Sequence, residues 1–147
     1  MLEVQLVYGF QGKGAKNAAL MDAALQYSAQ VGNLSKVLLG DFNEGLDNVW
    51  KLPQMMKLAL LGGIMVDIDR QWADQQGVPT SCAYHVPGGG TTRIDGVLAD
   101  KSTAATVRSF KKVQGMHIPG HDPVIVHFDL GTNRQRVRKA RKLERTE

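Results

Sequence analysis

The sequence has little of what a secreted or membrane-embedded protein requires. Cys82 is the one cysteine among 147 residues, so no disulfide can form within the chain, as suits a reducing compartment. No apolar run approaches the ~20 residues that span a bilayer, so we predict no membrane span. A strand pattern begins almost directly after Met1, and no signal or transit peptide is visible. We therefore expect an intracellular protein, cytoplasmic or nuclear.

Repeats, low-complexity segments and the common nucleotide-binding motif are also missing. The glycine-rich turn over residues 9–14 follows the first predicted strand, but it lacks the Gly-Lys-Ser/Thr ending of a P-loop. The length of 147 residues and the hydrophobic content of 43% are enough for one domain with a substantial core. The sequence thus predicts a single globular domain.

Positive charge is concentrated at the C-terminal end of the chain. Residues 132–147 contain seven basic and two acidic residues, a net charge of +5, so the first 131 residues sum to −1 within the total of +4. Such a tail can contact nucleic-acid phosphates, although basic ends are more often solvated. We divide the chain into a domain over residues 1–131 and a basic tail over residues 132–147, helical or disordered, or the start of a linker.

Short apolar or alternating runs predict strands along the whole domain, and two helical patterns separate the first of them. The first helical pattern covers about residues 17–30, with Asn17 as its N-cap and Gly32 as its stop. The second follows Pro53 and ends at Gly62. The predicted strands cover residues 3–8, 37–39, 64–68, 81–84, 93–99, 107–113 and 124–130.

This order of elements predicts an α/β fold, a layered mixed β-sheet with helices packed on one face. The stretch between residues 70 and 92 is otherwise rich in loop signals, including a glycine turn after Pro87. Asp67 and Asp69 stand at the end of the strand over residues 64–68. We interpret both as solvated or capping groups rather than as metal ligands.

The most informative stretch is the buried strand over residues 37–39, which runs directly into Gly40-Asp41-Phe42-Asn43. Packing of a buried strand holds the groups at its tip in place. A carboxylate and an amide two residues apart suit activation of a water beside a phosphate or a hard cation. The alternative is a simple turn in which Asp41 or Asn43 caps the backbone.

Two further motifs follow this one, and the three occur in a fixed order at predicted strand edges. They are Gly40-Asp41-Phe42-Asn43, Thr92-Arg93-Ile94-Asp95 and Gly120-His121-Asp122-Pro123-Val124. With them, the chain over residues 3–130 resembles the second half of the metal-dependent endonuclease/exonuclease/phosphatase superfamily. That superfamily includes apurinic endonucleases, pancreatic-type deoxyribonucleases and inositol phosphatases. The resemblance implies half of a four-layer α/β sandwich.

The resemblance also implies a role for each polar residue of the three motifs. Asp41 would orient or deprotonate the attacking water, and Asn43 would hold the phosphate or that carboxylate in register. Asp95 would accept a hydrogen bond from His121 and so favour its imidazolium form. His121 would then stabilise negative charge on the phosphoryl oxygens in the transition state.

The resemblance also implies residues that bind the substrate and the metal, but fewer of these can be named. Tyr8 takes the position of a phosphate-contacting tyrosine of apurinic-type members, with strand packing as an equal alternative. Arg93 is a second candidate for substrate binding, with an ion pair to an acid as its alternative. Mg²⁺ or Mn²⁺ is the cofactor that the resemblance implies, but its ligands are unknown here. Gly120 stands where the family carries an aspartate, and Gly96 where it carries an aromatic residue.

Two functions follow for the chain. The first is a metal-dependent phosphodiester or phosphomonoester hydrolase, with nucleic acid as the first candidate substrate, whose activity without the missing first half is open. The second is a non-catalytic remnant of the fold that binds nucleic acid or a partner protein. A chain that matches half of a two-part fold also leaves a sheet face uncovered. We expect the missing half or a second copy of the chain to cover it.

Overall fold

The fold was analysed in a computed structural model that describes residues 2–30, 32, 34–116 and 118–133. The predicted basic tail lies outside the described residues from position 134 onward. The elements are, in chain order, β1 (Leu2–Tyr8), α1 (Gly14–Gln30), β2 (Ser35–Asp41), a 3-10 turn (Val49–Lys51), α2 (Gln54–Leu61), β3 (Met65–Asp67), α3 (Ile68–Gln76), β4 (Tyr84–His85), β5 (Thr91–Thr92), β6 (Asp95–Asp100), α4 (Lys101–Ala104), β7 (Val107–Lys112), β8 (Val124–Phe128) and a second 3-10 turn (Leu130–Asn133).

The central element is a four-stranded mixed sheet with the strand order β1-β2-β6-β3. β1 and β2 run parallel, whereas β6 is antiparallel to both β2 and β3. Two short sheets, β4-β5 and β7-β8, lie outside it. The predicted α/β class and mixed sheet are therefore confirmed.

Side chains alternate between two hydrophobic clusters on opposite faces of this sheet, as the pleat requires. Leu38 and Leu98 belong to the cluster that includes residues of α1 and α2, such as Met21. Val97 and Ala99 belong to the second cluster, with residues of α3, α4 and β7. One face of the sheet is thus covered by helices α1 and α2, and the other by α3, α4 and the β7-β8 pair.

The second face is covered over β6 but open along the edge strand β1. The apolar side chains of Val4 and Leu6 are 53% and 80% exposed, and Tyr8 at the end of the strand is 81% exposed. Leu6 lies in register beside Leu39 of β2. β1 therefore presents a contiguous apolar strip to solvent, which is the type of surface that marks an interaction site.

The region after β3 differs from the sequence prediction. The sequence predicts a strand to residue 68 and loop beyond it, but α3 begins at Ile68. The Asp67 side chain caps it by accepting from the Arg70 N–H at 3.3 Å, and Gly77 ends it in a left-handed conformation. Asp69 is not solvated but 1% exposed, and it accepts the N–H groups of Ser81 and Cys82.

The start of α1 also differs from its prediction. The helix begins at Gly14, so Asn17 lies inside it rather than at its N-cap, and its side chain is buried at 1% exposure.

No helix among the described residues is long and apolar enough to cross a bilayer.

Candidate active site

The pairing of three strands places three polar residues in one row. Tyr8 is in register with Asp41 across the parallel β1-β2 pair, and Asp41 is in register with Asp95 across the antiparallel β2-β6 pair. Residues directly opposite each other on paired strands point to the same face. The strands approach closely here because Gly40, at φ 139°, has no Cβ to overlap the Val7 carbonyl oxygen. The backbone therefore brings the two carboxylates together.

His121 joins this row from outside the main sheet. Its ring Nδ1 lies 2.5 Å from the Asp95 Oδ2 atom. Burial raises the pKa of the Asp95 carboxyl above its usual value, the hydrogen bond and charge of His121 act against that rise, and the nearby Asp41 adds to it. One oxygen of each carboxylate and a ring nitrogen of His121 all lie within 4.8 Å of one another. Residues 41, 95 and 121, far apart in the sequence, thus form one cluster.

Asn43, the fourth residue with a predicted catalytic role, contacts Asp41 through its backbone. Its N–H donates to the Asp41 Oδ1 atom at 2.9 Å, and its side-chain amide donates to the Gly9 carbonyl at 2.7 Å. Asn43 adopts φ 49°, a left-handed conformation that asparagine tolerates better than most residues. It therefore fixes the Asp41 carboxylate and joins the ends of β1 and β2.

The two residues with predicted substrate contacts lie in different environments. Tyr8 lies at the rim of the cluster and lines both cavities that reach Asp41. Arg93 is 3% exposed, and its guanidinium donates to Asp47 at 2.8 Å and to Asp67 at 2.7 Å and 3.1 Å. This geometry does not fit substrate binding by Arg93. Its predicted alternative, an ion pair with nearby acids, matches the structure.

Asp122 does not replace the carboxylate that the resemblance leads us to expect at Gly120. Its oxygens bind the His85 Nε2 atom at 3.0 Å and the Lys112 Nζ atom at 3.1 Å. Hydrogen bonds from those two groups hold the pKa of the Asp122 carboxyl below its usual value. Both oxygens are therefore engaged outside the cluster.

Gly96 is tightly surrounded, although it stands where the resemblance leads us to expect an aromatic side chain. A Cβ at Gly96 would lie 2.5 Å from the Leu46 Cδ1 atom and 3.0 Å from the Phe42 Cε2 atom. Phe42 is fully buried. The aromatic ring of the Gly-Asp-Phe-Asn motif therefore fills the space beside Gly96 and supports the strand end that carries Asp95.

Asn17 stabilises the segments that follow β1 and β2, a role that the sequence did not reveal. Its amide nitrogen donates to the Phe42 carbonyl at 2.8 Å and to the Glu44 Oε1 atom at 2.7 Å, and its oxygen accepts the Phe10 N–H at 3.0 Å. These partners follow the ends of β1 and β2, so Asn17 links the two strand ends. The one signal in the sequence was an asparagine on the apolar stripe of a helix.

Two cavities meet at the cluster. The larger, about 590 Å³, is lined by Asp41, Asp95 and His121 and by apolar residues of β2, β6 and β8. The smaller, about 140 Å³, has Tyr8, Asn43, Tyr84 and His121 in its lining. The carboxylates are thus reachable from solvent.

The donor set suits a hard divalent cation held mainly by solvent and substrate oxygens. Mg²⁺ is commonly bound through one or two carboxylates, with water and phosphate oxygens completing about six ligands. Asp41 and Asp95 supply two carboxylates, and the imidazole of His121 is already bonded to Asp95. The residues therefore fit such an ion, although they form an open site rather than a closed cage.

Solved structures share this fold. NExo, a 3′ phosphatase from Neisseria bound to a product DNA hairpin, superposes with a TM-score of 0.63 at 19% identity over 86% of this chain and 60% of its own. The catalytic domain of Xenopus laevis APE2 gives 0.62 at 15% identity, over 85% and 49%. A mannosyl-6-phosphatase from Bacteroides thetaiotaomicron gives 0.59 at 16% identity, over 86% and 50%.

These neighbours confirm the resemblance at the level of the fold, which is that of one half of endonuclease/exonuclease/phosphatase proteins. The chain spans about half to three fifths of the length of the structures it matches. No family model matches the sequence. No curated protein matches it by sequence either.

Proposed function

We propose that this chain is one half of a divalent-metal-dependent phosphoester hydrolase that acts on nucleic acid. The observation that carries this proposal is the convergence of Asp41, Asp95 and His121 within 4.8 Å at the tips of paired strands. Structural neighbours that are nucleases and phosphatases support the general class. The particular substrate is our inference.

Each residue of the cluster has a distinct chemical task in this proposal. Asp41 orients the attacking water or accepts its proton, since Asn43 donates to one of its oxygens and no described residue donates to the other. Asp95 engages Nδ1 of His121, so Nε2 is the ring nitrogen that can donate to a phosphoryl oxygen.

The proposed cofactor is Mg²⁺ or Mn²⁺, held by the carboxylates of Asp41 and Asp95. When bound, such an ion supplies Lewis-acid polarisation of a phosphoryl oxygen. Asn43 holds Asp41 in place for either task, because its backbone N–H fixes one carboxylate oxygen.

Nucleic acid is the proposed substrate for two reasons. Residues 132–147 carry a net charge of +5 that can contact backbone phosphates. One structural neighbour, NExo, is bound to a product DNA hairpin. Exposed Tyr8 at the rim of the cluster is our proposed contact to the phosphate or sugar.

A non-catalytic role is the second candidate, and the sparse carboxylates favour it. Gly120 offers no side chain, and both Asp122 oxygens bind His85 and Lys112. Among the described residues two carboxylates thus reach the site, so water and substrate would have to supply most of the about six oxygens that Mg²⁺ requires. In this second proposal the same basic tail binds nucleic acid without cleavage, or the apolar strip on β1 binds a partner protein.

The deciding experiment is cleavage of supercoiled plasmid and abasic oligonucleotides across a range of Mg²⁺ and Mn²⁺ concentrations. We expect the His121→Ala variant to lose about 100-fold or more in rate, because it removes the stabiliser of transition-state charge. His127→Ala is the matched control, since His127 is exposed on β8 and bonded to Ser109. Absence of any His121-sensitive cleavage, with DNA still retained on a filter, would favour the binding role.

A further inference from the structure

A short pairing outside the main sheet holds His121 in position. Tyr84 and His121 form an antiparallel bridge. On either side of it, the His85 N–H donates to the Gly120 carbonyl at 2.7 Å and the Asp122 N–H donates to the Ala83 carbonyl at 3.0 Å. The backbone therefore places Tyr84 directly beside the imidazole.

The two side chains are in contact as well. Their ring centroids lie 4.9 Å apart, with an angle of 46° between the ring planes. An aromatic face attracts a cationic group whose distance from the ring centroid is within about 6 Å. Because Asp95 binds the imidazole at Nδ1, the His121 ring is contacted by a carboxylate and by an aromatic ring at once.

Gly120 makes room for this aromatic ring. Its φ is 78°, and a Cβ there would lie 3.0 Å from the Tyr84 Cε2 atom. A side chain at position 120 and the observed Tyr84 ring therefore compete for the same space. The positive φ by itself favours glycine at this position, and a Cβ would in addition press against the Tyr84 ring.

We propose that Tyr84 is a positioning residue for His121, which its ring holds in the orientation that contacts Asp95. The catalytic consequence of this inference rests on the proposed hydrolase function, but the structural consequence does not. Tyr84 also lines the smaller cavity with Asp41 and Asn43, so it borders the space in which a substrate phosphate would bind.

The test combines NMR spectroscopy with kinetics on the full chain. In the wild type we expect nuclear Overhauser effects between the His121 ring protons and the Asp95 β-protons. Tyr84→Leu should abolish them, whereas Tyr84→Phe, which keeps the ring, should retain them. Tyr27→Leu is the control, because Tyr27 is an exposed aromatic residue on α1. Unchanged amide shifts in β7 and β8 establish that each variant is folded.

Kinetics supply the second readout. Tyr84→Leu should lower kcat by about 10-fold or more while KM changes by less than about 2-fold, and Tyr84→Phe should restore kcat. Retention of the His121–Asp95 effects in Tyr84→Leu would overturn the inference, as would an unchanged kcat in an active protein. If the wild type hydrolyses nothing, hydrolysis by this chain alone is refuted, and the NMR comparison alone decides the role of Tyr84.

Discussion

At the scale of single residues, Asp100 illustrates how one carboxylate links distant parts of the chain. It caps α4 by accepting the Thr103 N–H, and it accepts hydrogen bonds from the Thr103 and Ser102 hydroxyls and from the Lys36 N–H of β2. Burial opposes its charge, but these four donors outweigh burial and hold the pKa of the Asp100 carboxyl below its usual value of 3.8. The charged form therefore stabilises the native state.

We expect Asp100→Asn to lower the free energy of unfolding by about 1 kcal/mol at neutral pH. Because the native-state pKa is depressed, the stabilisation is present above the usual value of 3.8 and is lost as the pH falls through the lower native value. Urea denaturation at about pH 7 and about pH 3 should show the variant's deficit shrinking on acidification. Asp74→Asn, at an exposed position on α3, is the control. An equal deficit at both pH values would contradict the assignment.

Some residues of the candidate site belong to short sequence motifs, whereas others act through partners that are distant in the sequence. Asp41, Asp95 and His121 could be proposed from the sequence because each belongs to a short motif at a strand edge. Asn17 and Tyr84 could not, since their partners lie 25 and 37 positions away and meet them only after folding. Arg93 is a motif residue whose neighbours in space are acids, as the second of its two predicted alternatives has it.

At the scale of elements, β6 depends on tight packing against the loop that follows β2. We expect Gly96→Ala to destabilise the protein by about 1–3 kcal/mol, because the new methyl group would overlap Leu46 and crowd Phe42. Thermal denaturation monitored by circular dichroism measures the loss. Gly45→Ala is the matched control, since a Cβ at Gly45 meets no atom within 4 Å. Equal effects at both glycines would refute this packing argument.

The junction of β3 and α3 depends on the buried guanidinium of Arg93. Its side chain is 4% exposed and pairs with Asp67 and Asp47, with Asp69 at 3.6 Å. Arg93→Met should lower the free energy of unfolding by about 3–5 kcal/mol, because it leaves buried carboxylates without a counter-charge. Arg70→Met is the control, as Arg70 pairs with Asp47 at the surface and should cost about 1 kcal/mol or less.

Chemical denaturation of the two arginine variants provides the comparison. A deficit for Arg93→Met no larger than that for Arg70→Met would show that the buried pairs do not hold the junction. A change in substrate KM with unaltered stability would return Arg93 to the role of a substrate contact.

α3 also shows where prediction of elements from sequence stops. Its cap, Asp67, and its end, Gly77, are ordinary helix signals, but the residues between them are mostly polar. The apolar run that precedes them favours a strand that continues through Ile68. Burial of Ala73, and of Ile68 within the second hydrophobic cluster, is a long-range effect that decides for the helix.

At the scale of the whole molecule, the alternation of strands and helices was sufficient to predict the mixed sheet, but not which layer covers each face.

We expect the open strip on β1 to drive self-association of the isolated chain, because Leu6 and Val4 leave apolar surface in water. Leu6→Lys should weaken that association by about 10-fold or more. Analytical ultracentrifugation over a concentration series measures it.

The matched control for this surface is Leu58→Lys. Leu58 is 54% exposed on α2, on the opposite face of the sheet. It should leave association unchanged. A wild-type chain that stays monomeric throughout, or an equal effect of both lysines, would show that the strip on β1 is not a contact surface between copies. The first half of a longer protein would then be the remaining proposed partner.

The way in which Asp41, Asp95 and His121 are held determines which of them should leave the cluster first when the protein is heated. Asp41 and Asp95 are fixed by the backbone ladder of the central sheet, whereas His121 is attached through the small pairing with residues 83–85. Small peripheral units open at lower free energy than a central sheet. The imidazole should therefore detach while the carboxylates still face each other, so loss of the proposed hydrolase activity should precede the melting of secondary structure by a measurable interval of temperature.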